Sequence, residues 1–231
     1  MQPARAKSVE GRTYGGLCSS ERKDRRREAF IAAGLQVFGS SGFRSATVRG
    51  LCQEAGLATR YFYESFVDME ALLAAVFETC VADFRRRVAA TFEAPEITMD
   101  PEAMIQAGLE CFFGWAEDAR VARVCWREVV GVSRALDTLS RKSLQSFAPT
   151  LVELTRSVFP DSKIADAEAQ VVAVAATGAL SQAALRWHQD KRRLPRATMV
   201  AATGRILRGI RLTIEADLAA SRDAKRSTTR R

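Results

Sequence analysis

Six side chains between positions 47 and 63 carry the chemistry most easily read from this sequence: Thr47, Arg49, Thr59, Arg60, Tyr61 and Tyr63. An arginine can give two hydrogen bonds to guanine O6 and N7, a contact that discriminates between bases by about 1–3 kcal/mol. Threonine and tyrosine hydroxyls bond phosphate oxygens, which fixes a protein on a duplex without reading its sequence. Catalytic chemistry is poorly supplied by comparison. His188 is the single histidine, so no two-histidine metal site can form, and the chain has neither a Gly-rich phosphate loop nor a nucleophile elbow. Cys111 and Cys125 fall on helical faces, where a thiol is inert, although the sequence alone leaves a Cys–His188 pairing open. No metal, no cofactor and no enzymatic activity are expected.

The elements that must hold these six residues are two short helices. Thr47 can cap the first, which packs through Val48, Leu51, Cys52 and Ala55. Gly56 supplies the left-handed residue that ends it, and Leu57, Phe62 and Phe66 anchor the second. That layout is a helix-turn-helix, although any packed helical hairpin also needs a glycine turn and apolar anchors. Charge separates the two readings. The chain carries 35 Lys and Arg against 27 Asp and Glu, and residues 1–63 hold 11 of the former but only 5 of the latter. A basic excess gathered on one small domain points to a polyanion, here double-stranded DNA.

Around this pair the pattern is helical throughout, and the expected fold class is all-α. Residues 1–20 read as a flexible basic arm, 21–67 as the DNA-binding domain, 68–220 as a larger helical body, and 221–231 as a basic disordered tail. The helix expected from Glu21 to Ser40 opens with Arg22, Lys23, Arg25, Arg26 and Arg27 at the positive end of its dipole, a placement that suggests phosphate contact by some of them. Asp68 caps the next helix, with Val67 and Leu72 spaced for a hydrophobic staple. Asp100 followed by Pro101 starts another. A shorter helix is expected around Val121 to Val130, and a long one from about Ser133 to Val158, kinked at Pro149.

The two late helices are the most apolar. From about Ala165 to His188 small apolar residues run nearly all round, and after Pro195 a stripe of isoleucines follows. A helix apolar beyond the needs of its own fold points to a partner, so Val172, Ala176, Leu180, Ile206, Ile210 and Ile214 are expected at a homodimer interface. Phe112, Phe113, Trp115, Trp126, Phe147 and Trp187 either fill the core or line an apolar pocket, with Arg127, Glu128 and His188 as polar handles. The five cysteines show no disulfide or paired metal spacing, no secretory leader opens the chain, and the apolar run from Val171 to Leu180 is far short of a membrane span. A cytoplasmic protein without a membrane partner is expected.

The sequence also resembles a known family. Phe30 to Phe38, Gly42-Phe43, Thr47-Val48, Ala55-Gly56-Leu57, Phe62-Tyr63, Phe66 and Glu70 to Leu73 together are similar to the TetR (tetracycline-repressor-like) regulators. The resemblance implies that Arg60 and Tyr61, with Thr59 beside them, face bases in the major groove, while Thr47 and Tyr63 meet phosphates. Ala58 departs from the usual capping Ser or Thr, which moves the expected cap to Thr59 and would make that residue structural rather than a base reader, and Met69 departs from a frequent phosphate-binding lysine, which leaves more work for Arg49 and the basic start of the first helix. The resemblance further implies dimerisation through the late helices and a small apolar or amphipathic effector, such as a drug-like compound or fatty acyl derivative, that releases a near-palindromic operator. The rival reading is a basic protein that coats any duplex without preference.

Overall fold

The computed structural model describes residues 19–93 and 100–229, with side chains described as far as 222. The expected basic arm lies outside the described residues except at its end. The described residues form helices and turns with no strand among them. Ten α-helices follow in order: α1 Ser19–Ser40, α2 Val48–Ala55, α3 Thr59–Ser65, α4 Met69–Glu93, α5 Pro101–Ala116, α6 Ala119–Arg123, α7 Arg134–Gln145, α8 Ala148–Val158, α9 Asp166–Gln189 and α10 Arg196–Thr229. A short 3-10 turn, Phe43–Ser45, precedes α2, and a π turn, Val124–Glu128, continues α6.

The N-terminal domain of α1 to α3 is built on aromatic packing. Phe30 of α1 meets Phe62 edge-on at 5.6 Å between ring centroids and Phe66 at 6.5 Å, and all three rings are buried. Perpendicular ring pairs of this kind add about 0.5–1.5 kcal/mol beyond the area they bury. Gly34 lets α4 press onto α1, since a Cβ there would lie 2.7 Å from Val76 Cγ2. Helix α4 then passes from this domain into the body, its buried face running from Leu72 to Val81.

Start and stop signals fall largely where the sequence places them. The Asp68 carboxylate accepts from Ala71 N at 2.7 Å, and Asp100 accepts from Ala103 N at 2.8 Å with Pro101 in the first turn. Four expectations need correction. The staple does not form, because Val67 is 80% exposed while Leu72 is buried. Residues 133–158 make two helices rather than one kinked helix; the chain turns at Ser146 and Phe147, and Pro149 sits in the first turn of α8, where its missing N–H costs nothing. The segment Val121 to Val130 divides between α6 and the π turn. Finally, α10 runs on to Thr229 through the stretch expected as a tail, since alanines and long charged residues favour helix and no Pro or Gly interrupts it.

Candidate nucleic-acid interface and ligand cavity

Helices α2 and α3 present the six predicted residues on one small surface. Thr47 caps α2, its Oγ1 accepting from Gly50 N at 3.1 Å, and Gly56 closes the helix at φ 65°, ψ 28°. Thr47 thus has a structural duty that leaves only its hydroxyl proton to offer a phosphate. Arg49 is exposed in the first turn of α2, and Thr59, Arg60 and Tyr63 are exposed on α3. Ala58 keeps the cap position of α3 without any side-chain hydrogen bond, so the expected shift of the cap to Thr59 does not occur; Thr59 is the first helical residue.

Tyr61 organises the cations of this surface. The Arg60 guanidinium lies 4.5 Å from the Tyr61 ring centroid and its Nη2 donates to the phenol oxygen, while Arg26 of α1 lies 4.2 Å from the same ring. The bond to Arg60 lowers the Tyr61 phenol pKa and raises that of the guanidinium. Arg27 packs 4.3 Å over Phe66 and donates to Ser65 O at 2.8 Å. Two of the five crowded cations of α1 are therefore committed to α3, which explains their placement without phosphate, whereas Arg22, Lys23 and Arg25 remain exposed.

A cavity of about 590 Å³ runs through the body between α4, α5, α8, α9 and α10, and its walls are mostly apolar. On α5 it is lined at 101, 104, 105, 108, 109, 112 and 115, one face from end to end. At 1.5 Å per residue this face is about 20 Å long. Of the predicted pocket residues, Phe112, Trp115, Trp126 and Phe147 line it. Phe113, Trp187 and His188 do not: Phe113 and Trp187 are corrected to core, Phe113 being fully buried against Trp187, whose indole donates to Leu194 O at 2.8 Å, while the half-buried His188 pairs its Nε2 with Ala116 O at 2.6 Å. Burial holds the His188 pKa below its ordinary value. Arg127 is exposed on the surface and is no polar handle for the cavity.

The predicted interface residues divide in the same way. Val172, Ala176, Leu180, Ile210 and Ile214 line the cavity, whereas Ile206 is exposed. The α9 surface that faces away from the cavity carries Val171 at 69% and Val174 at 44% exposure, and α10 adds Leu212 at 56%. One face of α9 thus walls the cavity, and the opposite face leaves Val171 and Val174 exposed.

One element that the sequence does not reveal joins the two sites. The π turn places Cys125 and Trp126 in the cavity wall and, two residues on, Glu128 against the turn between α1 and α2. Glu128 Oε2 accepts from Phe43 N at 2.7 Å, and Oε1 pairs with Arg123 Nε at 2.7 Å, while Arg123 Nη1 donates to Ser40 O. Beside them Arg120, whose bonds hold the Asp118 carboxyl below its usual range, donates to Gln36 Oε1 at 3.0 Å. Mid-helix π turns often mark functional sites. Cys80 and Cys125 lie buried together, and the contact with Cys80, joined by burial, pushes the Cys125 thiol up, away from reactivity. Among the described residues no cluster of His, Cys, Asp and Glu could hold a metal ion, and no helix is long and apolar enough to cross a membrane.

Comparison with known proteins follows the same division. Residues 30–76 match the family described as "Bacterial regulatory proteins, tetR family". No curated protein matches the chain. Among solved structures, the fatty acid degradation regulator FadR from Bacillus halodurans is 20% identical with a TM-score of 0.68, over 79% of this chain and 94% of that one. The transcriptional regulator FadR from Bacillus subtilis in complex with stearoyl-CoA is 16% identical with a TM-score of 0.66, over 78% and 96%. A transcriptional regulator from Rhodococcus sp. Rha1 is 19% identical with a TM-score of 0.64, over 78% and 93%. At these identities the likeness is one of fold.

Proposed function

We propose that this chain, which belongs to the TetR family of bacterial regulatory proteins, is a homodimeric repressor that binds a near-palindromic operator and is released by a long, apolar or amphipathic effector. The observation that carries this reading is the π turn, one end of which walls the cavity while the other bonds the DNA-reading domain at Phe43. An effector can shift an equilibrium only through different affinities for two states, and a cavity wall continuous with the domain joint offers such a difference. In this reading Arg60 reads a base after leaving Tyr61, Arg49 and Tyr63 meet phosphates, and Thr59 borders the bases. Homodimerisation uses the outward faces of α9 and α10, where Val171, Val174, Ile206 and Leu212 are exposed and Gly178 and Gly209 leave room for close approach. The mostly apolar wall and the stearoyl-CoA carried by the Bacillus subtilis neighbour favour a fatty acyl effector for this chain.

The test is fluorescence anisotropy of the full chain on DNA flanking its own gene and on scrambled DNA, at two salt concentrations, with and without stearoyl-CoA. Specific binding that survives the higher salt and falls on adding stearoyl-CoA is the expected result. Equal, salt-labile binding to both DNAs would replace the regulator by a nonspecific basic DNA-binding protein.

A further inference from the structure

The cavity is chemically polarised along its length. Trp115, Trp126, Phe84 and Phe147 stand at one level, with Phe84 at 4.8 Å from Trp115 and 5.1 Å from Phe147 between ring centroids, and Trp115 at 5.8 Å from Trp126. This end adjoins the π turn and lacks a charged lining residue. At the other level Arg208 of α10 bonds Glu102 of α5, which places Arg211 and everything after it on α10 beyond the start of α5. There the charged lining residues gather: Arg156, Glu168, Arg211 and Asp217. Trp115 lies thirteen positions after Glu102 on α5, about 20 Å of helix.

Arg211 marks the charged end as a binding place. Its Nη1 pairs with Glu215 Oε1 at 2.8 Å, yet its Nε is buried and has no partner among the described residues. A buried guanidinium N–H is unfavourable unless something accepts from it, even where another nitrogen of the same group is ion-paired. Trp115 Nε1, an uncharged donor, is likewise buried without a partner among the described residues, and its ring packs against Trp126 at the aromatic end.

Resting on the effector reading above, we propose that the cavity is a ruler for a single-chain anionic amphiphile. The carboxylate or phosphorylated head binds at Arg211, and the tail is measured by whether its end reaches Trp126. A chain that reaches Trp126 displaces the ring, moves the π turn and draws Glu128 away from Phe43. A shorter chain occupies the apolar slot without touching the turn. An eight-carbon chain, whose zigzag advances about 1.25 Å per C–C bond, ends near the middle of the slot, whereas an eighteen-carbon chain spans it. Trp126 is therefore a specificity-determining residue for response and contributes little to affinity for short chains.

The experiment follows two readouts on the full chain without DNA. Calorimetry gives the affinity for octanoyl-, dodecanoyl-, hexadecanoyl- and stearoyl-CoA, and for hexadecanoic acid as the free-acid counterpart. Amide hydrogen exchange at Phe43 reports whether its bond to Glu128 has opened. We expect bound octanoyl-CoA to leave Phe43 exchange unchanged and bound stearoyl-CoA to raise it about tenfold or more, the step falling at one chain length. Trp126→Ala should move that step to longer chains, and Trp126→Phe should move it less. Arg211→Gln should weaken every chain alike, by about tenfold, with the step unmoved. Hexadecanoic acid binding as tightly as hexadecanoyl-CoA would identify the free acid as sufficient, and much weaker binding would identify the thioester as the source, both within the proposal. Equal opening of Phe43 by every bound chain, or a step unmoved in Trp126→Ala, would overturn the ruler while leaving the effector reading intact. Binding by none of the probes would overturn both.

Discussion

Glu128 and Phe43 are 85 residues apart in sequence, and the carboxylate of one accepts the backbone N–H of the other at 2.7 Å. The Glu128 side chain is only 11% exposed and holds Arg123 with its second oxygen. The bond is thus a semi-buried tie between the body and the turn that leads into α2.

Removing that tie should cost stability and communication together. Glu128→Ala strands the Phe43 N–H and the Arg123 guanidinium, at a cost of about 1–3 kcal/mol. Urea unfolding should register the loss, and DNA affinity should lose its dependence on added stearoyl-CoA while ligand binding by calorimetry persists.

The same joint depends on a close helix contact. A Cβ on Gly39 would lie 2.4 Å from Arg120 Cβ and 2.6 Å from its Cα, so α1 and α6 must separate if one is added. Gly39→Ala should destabilise the protein by about 1–3 kcal/mol in denaturant titration.

The cap of α2 gives a smaller and more local effect. Thr47→Ala removes the acceptor for Gly50 N and should cost about 1 kcal/mol, while Thr47→Ser should restore it. A Thr47→Ser variant with normal stability but weakened operator binding would show that the methyl group matters to the DNA surface.

Base reading and phosphate contact separate by their dependence on sequence. Arg60→Ala should cut discrimination between operator and scrambled DNA by about 1–3 kcal/mol, whereas Tyr63→Phe should weaken both alike. Anisotropy on the two DNAs decides, and unchanged discrimination in Arg60→Ala would end the base-reading role.

His188 gives a dependence on pH. Burial lowers its folded pKa from the ordinary 6.5, so above that value both states are neutral and the group contributes no slope. As pH falls below about 6.5 the unfolded chain takes the proton first and stability declines until the folded pKa is passed. Unfolding at about pH 7.5 and about pH 5.5 should show a smaller difference in His188→Gln than in the wild-type protein.

Sequence by itself determined the helix-turn-helix, because its signals are local. Thr47 as cap, Gly56 as left-handed stop and the anchors Leu51, Phe62 and Phe66 act within a few residues of themselves, and the structure keeps each of them. The Asp100-Pro101 start and the buried stripe of α4 were legible for the same reason. Tertiary structure alone decided what faces what. Apolar periodicity states that Val172, Ile210 and Ile214 are covered, and only the packing of α10 on α5 and of α8 on α9 reveals that a cavity lies before them. Likewise His188, Trp187 and Phe113 are aromatic in composition whether they line a pocket or fill a core. The Glu128–Phe43 tie had no signal at all, since a carboxylate in a helix and an amide in a turn are ordinary until folding closes the distance between them.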